Sequence, residues 1–176
     1  RPLYDLDPGA TAYGEIGLLT GKQWAAAGNR CSLGALVHLL RPGGLVCFIT
    51  STYFLDESDA GMRAHVASEA NLVAAFRLPS GTFERIASTS VQADLVVLRK
   101  RAPGEAAAAA EWLDLDYVPK TMLRDGCHEQ YLRINRWFVR HPEHVLGRID
   151  RVSNGFQAVP TAMLDGDLES ALLGAQ

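Results

Sequence analysis

LRPGGLVCFITSTY, residues 40–53, is the stretch on which the reading of this fold turns. Leu39, Leu40, Arg41 and Pro42 run into Gly43-Gly44, a pair able to take the positive φ that stops a helix, and the unbroken apolar run Leu45-Val46-Cys47-Phe48-Ile49 follows at once. The order is helix, tight turn, strand. A strand apolar at every position suits a sheet covered by helices on both faces, so this one is expected to be central. Its carboxyl end, Thr50-Ser51-Thr52-Tyr53, is where an α/β sheet places a ligand.

Upstream, residues 1–31 carry Pro2, Pro8, Gly9, Gly14, Gly17, Gly21 and Gly28 among few apolar repeats, which predicts loop with one short strand at 13–19. Ser32 is placed to cap a helix whose apolar surface comes from Leu33, Leu36, Val37, Leu39 and Leu40, with His38 as a structural side chain inside it. Downstream, Asp56, Ser58 or Asp59 can cap a second helix running to Glu69, with Met62 and Val66 on its apolar face and Arg63 and Glu69 off it, and Asn71 can close it. Residues 72–76, LVAAF, then predict a second strand, so helix and strand alternate as βαβ units do. The loop 77–83, RLPSGTF, leads on toward a third strand at 91–100. Only 14 residues separate Phe76 from Val91, too few for a crossover helix, so these two strands are expected to pair antiparallel. The basic run Arg99-Lys100-Arg101 is read as the solvated end of that strand, with phosphate contact as its functional alternative.

Ala102-Pro103-Gly104 marks a boundary, and 102–111, with five alanines between Glu105 and Glu111, is read as a linker or short exposed helix. In 112–118 Leu113, Leu115 and Tyr117 alternate with Asp114 and Asp116, the pattern of an edge strand. Asn135 can cap a helix carrying Trp137 and Phe138, Pro142-Glu143 can start another, and 165–173 reads as a last short helix. The organisation is thus a loop-rich segment 1–31, an α/β unit 32–101, a linker 102–111 and a small α+β extension 112–176.

Composition narrows the function. The 176 residues are 48% hydrophobic, enough for a packed core, and the formal charge of -3 gives no global attraction to nucleic acid or to an anionic membrane. Any DNA contact would use a local basic patch. Cys31, Cys47 and Cys127 show no CxxC or Cys/His zinc spacing and are read as reduced thiols in a cytoplasmic protein. No apolar run approaches the roughly 20 residues that span a bilayer. The opening RPLYDLDPG has no signal-peptide core, and the start on Arg1 in place of Met leaves open whether the native protein is longer. The Ser, Thr and His residues form no nucleophile-and-base pattern, so no hydrolase is expected.

Three pieces together carry a resemblance: LLRPGGLVCFITSTYF at 39–54, FRLPSGTFERIASTSVQADLVVLRKR at 76–101 and INRWFVRHPEHVLGRI at 134–149. In this order and spacing they resemble the carboxyl-terminal half of an adenine-N6 DNA methyltransferase domain. The type is that of large helicase-plus-methylase and antirestriction proteins and, more distantly, of type I modification subunits in restriction-modification or phage defence. The match covers about residues 32–150. It implies a partial Rossmann-like sheet ending in an antiparallel hairpin, S-adenosylmethionine as cofactor, and a target adenine flipped out of DNA into a pocket at the strand ends. It also implies that Phe83, on the loop before the last strand, stacks on the flipped base; the alternative is that Phe83 plugs this loop onto the core. Thr50, Ser51 and Tyr53 are candidate substrate-binding residues at the strand end, the alternative being that their hydroxyls only cap the next helix. Arg77 is a candidate for DNA phosphate, against a plain salt bridge.

Two departures qualify the resemblance. The Gly-rich turn and following acidic residue that hold the cofactor in the family have no counterpart, and neither does the Asn/Asp-Pro-Pro-aromatic tetrapeptide that holds the adenine amino group; Asp7-Pro8-Gly9 is a poor substitute. The chain alone is therefore expected to be inactive and to need a missing amino-terminal half, or a dimer partner, over the sheet edge at 45–50. The alternatives are a non-catalytic remnant that binds DNA or docks a protein and, more weakly, a small-molecule methyltransferase fragment.

Overall fold

The computed structural model describes residues 37, 40–84, 91–124, 132–153 and 158–174. The expected strand at 13–19, the Ser32 cap, His38, Cys31 and Cys127 lie outside the described residues.

Strand β1 (Leu45–Ser51) leads through a single helical turn, α1 (Tyr53–Asp56), into helix α2 (Gly61–Glu69), strand β2 (Ala70–Arg77) and strand β3 (Ala93–Lys100). These three strands form one sheet in the order β1-β3-β2. The expected hairpin is present: β2 runs antiparallel to β3 from Ala70↔Lys100 to Arg77↔Asp94. β3 is also antiparallel to β1, from Leu45↔Arg99 to Ser51↔Ala93. β1 and β2 therefore run parallel without touching, with the reversed β3 wedged between them.

That wedge corrects the reading of β1 as a central strand covered on both faces. Among the described residues β1 pairs with β3 alone, and its faces differ: Val46, Phe48 and Thr50 are buried, whereas Leu45 is 46% exposed and Cys47 is exposed with a free thiol. An apolar run at every position specifies a strand but not how many of its faces are covered. Likewise, among the described residues no two neighbouring strands of this sheet are parallel, because the return strand occupies the place a parallel neighbour would take.

Other local readings shift for tertiary reasons. Asp59 accepts a hydrogen bond from the Gly61 backbone N–H at 2.8 Å and so organises the start of α2. Asn71, read as a helix stop, instead lies in β2. Arg63, placed off the apolar face in the sequence reading, is buried: its Nε and Nη2 donate to the Leu113 carbonyl at 3.0 and 2.8 Å. A guanidinium can enter a core when it finds backbone acceptors there. The run 99–101 is also paired. Arg99 meets Glu105, and Arg101 donates to the carbonyls of Ala67 and Ala70 at the end of α2, where the helix leaves acceptors unused.

Residues 102–110 form no helix. Glu111–Leu113 makes a 3-10 turn, and strand β4 (Leu115–Tyr117) pairs antiparallel with strand β5 (Arg133–Asn135). Helix α3 (Arg136–Arg140) follows, capped as expected by the Asn135 side chain, which accepts from Trp137 N at 3.0 Å. Pro142–His144 is a 3-10 turn with proline at its start. A hairpin of strands β6 (Arg148–Ser153) and β7 (Ala158–Met163) was not foreseen, and helix α4 (Leu168–Gly174) ends the described chain. Gly147, at φ +132°, enters β6 so close to β7 that any Cβ there would collide with the Met163 carbonyl. One apolar core joins both sides of the 102–111 segment: Phe48, Phe54, Val66, Val96 and Leu98 pack with Trp112, Ile134, Phe138 and Ile149.

Candidate functional site

The register aligns Thr50 of β1, Asp94 of β3 and Arg77 of β2 in one row across the sheet. Directly opposed residues share a face, so this polar row points toward the core side that also holds Phe48 and Val96. Arg77 and Asp94 are both fully buried. The guanidinium meets the Asp94 carboxylate in a two-pronged pair, Nε to Oδ1 and Nη2 to Oδ2, both at 2.9 Å. Its remaining arm, Nη1, lies 2.7 Å from Asp56 Oδ2, just beyond the end of β1. The flat cation rests over the Phe138 ring at 4.5 Å from the centroid.

Asn135 completes the knot. Its backbone N–H donates to Asp56 Oδ1 at 2.8 Å, and its side-chain amide donates to the Leu55 and Trp112 carbonyls at 2.7 and 2.8 Å. The strand ends, α1, the 3-10 turn at 111–113 and α3 are thus tied through one arginine and one asparagine. Burial alone would lower the Arg77 pKa, but Asp56 and Asp94 outweigh it and hold the guanidinium protonated. Burial pushes the Asp94 carboxyl up to about 6, against the downward pull of Arg77, with Asp56 adding to the rise.

The five candidates from the sequence separate. Arg77 is turned inward onto two carboxylates, the salt bridge that stood as the alternative to phosphate contact, and is fully buried. Thr50 and Ser51 are buried in the β1 ladder, and Ser51 Oγ has no hydrogen-bond partner among the described residues. Tyr53 is 51% exposed at the start of α1. Phe83 is half-buried against a second apolar cluster built on Leu78, Ala93 and Leu146, following a tight turn in which Gly81 takes φ +82°. Ile49, facing away from Thr50, packs against that same cluster, so Phe83 and the Thr50 row belong to opposite faces of the sheet.

No family model, curated protein or solved structure matches this chain.

Sequence reasoning missed Asp94, Asp56 and Asn135 as members of one assembly. A signal existed for the first, since an aspartate inside the run ADLVVL must find a cation or a donor if the strand is buried. Nothing local to Asp56 or Asn135 announces a meeting of residues 79 positions apart.

Proposed function

We propose that this chain is the carboxyl-terminal half of an S-adenosylmethionine-dependent adenine-N6 DNA methyltransferase module of the restriction-modification or phage-defence type, inactive until a complementary segment supplies the cofactor and amino-group motifs. The observation that carries the reading is the β1-β3-β2 order, in which a reversed last strand lies between two strands joined by a helical connection. It agrees with the terminal antiparallel hairpin that the resemblance implies, on the residues that carry that resemblance. A Rossmann-like whole would be reached by adding strands beyond β1, whose outer edge pairs with nothing among the described residues.

The described strand ends do not fit a methyl-donor site. Asp56, the acid beside β1, is engaged by Arg77 and by the Asn135 N–H, and Thr50 is sealed in the ladder beside Asp94. Cofactor binding is therefore assigned to the complementary segment. The chain's own contribution is the exposed aromatic Tyr53 at the strand end and the Phe83 loop, whose turn would have to release Phe83 from Leu78 and Leu146 to reach a base.

Titrating the chain alone with S-adenosylmethionine is expected to give no saturable heat. Co-expression with a segment bearing the missing motifs is expected to restore binding and adenine methylation, and a complex that does neither overturns the proposal. The sealed Arg77 and packed Phe83 favour one second reading, a non-catalytic remnant that binds DNA or a protein. Donor-independent gel shifts or pull-downs, with no restoration by the complementary segment, would select it. Light scattering bears on the edge: a dimer or a 1:1 complex is expected, and a monodisperse monomer in both preparations counts against the need for a cover on β1.

A further inference from the structure

The tetrapeptide His141-Pro142-Glu143-His144 takes no part in the ion cluster described above, yet it gathers three metal-ligating side chains. Proline opens its 3-10 turn, and the His144 N–H donates to the His141 carbonyl at 3.0 Å, winding the segment tightly. As a result one ligand atom from each of His141, Glu143 and His144 falls within 4.8 Å of the others. His141 Nδ1 is 3.4 Å from Glu143 Oε1, and His144 Nε2 is 4.0 Å from that same oxygen.

Both rings are braced from behind. His141 lies against Trp137 with centroids 4.2 Å apart, His144 lies against Phe76 at 4.4 Å, and the two imidazoles are near parallel, 18° apart in plane. The Trp137 indole N–H is shared between His144 Nδ1 at 3.2 Å and the Ala75 carbonyl at 3.3 Å. His144 therefore turns Nδ1 to the protein and Nε2 toward Glu143. A metal on Nε2 requires the ring proton on Nδ1, which then no longer accepts from the indole but donates to the Ala75 carbonyl, while the Trp137 N–H keeps that same carbonyl as its acceptor.

We propose that His141 Nδ1, Glu143 Oε1 and His144 Nε2 bind a divalent transition-metal ion of the zinc class, leaving a further coordination position open to solvent. Two imidazoles and one carboxylate suit such an ion better than magnesium or calcium, which favour oxygen donors. Bonds of about 2.0–2.1 Å around a tetrahedral ion put donor atoms ~3.3 Å apart. The His141–Glu143 pair already has that spacing, His144 must close on Glu143 by less than ~1 Å, and the two imidazole nitrogens, within 4.8 Å of each other, must close by at most ~1.5 Å, all by side-chain adjustment. The proposal is independent of the methyltransferase reading.

The test uses the full chain after chelator treatment, titrated calorimetrically with Zn²⁺, alongside His141→Ala and Glu143→Gln. Both of these side chains are well exposed, at 37% and 48%; His141→Ala uncovers one face of Trp137, and Glu143→Gln, which leaves every ring contact in place, is its control. One saturable site is expected, weakened at least ~10-fold in each variant with unchanged circular dichroism. Co²⁺, bound next to Trp137, is expected to quench indole emission in the wild type and to lose most of that effect in the variants. Absence of saturable Zn²⁺ binding and of Co²⁺ quenching in the wild type overturns the proposal, as does binding that survives undiminished in both variants.

Discussion

Arg77 and Arg99 sit in adjacent strands of one sheet, and each faces a carboxylate, but they do opposite things. Arg77 is fully buried with Asp94 in a two-pronged pair and Asp56 on its third side, whereas Arg99 meets Glu105 at the partly exposed end of β3. Water decides the difference. At Arg99 solvent screens the pair and would solvate either partner alone, so the contact adds little. At Arg77 neither partner can be removed without leaving an ion in a medium that does not solvate it, so the cluster acts as a condition of folding more than as a source of net stability.

This contrast can be broken experimentally. Replacing Arg77→Met strands Asp94 and Asp56 and is expected to cost about 3–5 kcal/mol by urea denaturation. Adding Asp94→Asn to that variant is expected to return part of the loss, because one buried charge is then gone; a double variant worse than the single would show that Asp94 is held by something other than Arg77. Asn135→Ala is expected to cost roughly 2–4 kcal/mol, since it removes the α3 cap and leaves the buried Leu55 and Trp112 carbonyls without their donor.

The pH dependence sharpens the comparison further. Asp94 ordinarily titrates at 3.8, and in the fold it is pushed up to about 6. The folded chain thus binds this proton more tightly than the unfolded one, so its contribution to stability is full below the unfolded value and is lost as pH rises from about 4 through 6. Plotted against Asp94→Asn, the wild type should lose ground across that window and run level above it. A difference that instead grows in favour of the wild type with rising pH would mean that the attraction to Arg77 outweighs burial. The smallest effect is reserved for Arg99→Ala, where the denaturation midpoint is expected to stay within measurement error.

How much of this was legible in the sequence depends on how local the cause was. The β2–β3 hairpin follows from the short spacing between two apolar runs, and the Asn135 cap and the Pro142 turn follow from residues acting on their own neighbours. The one-sided exposure of β1, the burial of Arg63 and the β6–β7 hairpin do not. They depend on which segment arrives opposite: β3 for β1, the Leu113 carbonyl for Arg63, and the close approach at Met163 for the entry to β6. The candidate site divided in the same way. Position at a strand end singled out Thr50, Ser51, Tyr53 and Arg77, yet burial then placed three of them inside and left only Tyr53 open. The packing of Phe83 against the Leu78–Leu146 cluster was not legible either, because that cluster is assembled from segments far apart in the chain.

Gly147 carries a consequence for how the chain tolerates change. Its φ of +132° and the carbonyl opposite leave no volume for a methyl group, whereas Gly43, at φ +79° beside the left-handed helical region, meets nothing within 4 Å. In a saturation library scored for folding, position 147 would be an empty column with glycine as its sole survivor, while position 43 would admit asparagine and other residues that accept a left-handed backbone. The β6–β7 hairpin therefore rests on the one residue whose contribution is the side chain it lacks, and drift in this part of the sequence is confined to its rim.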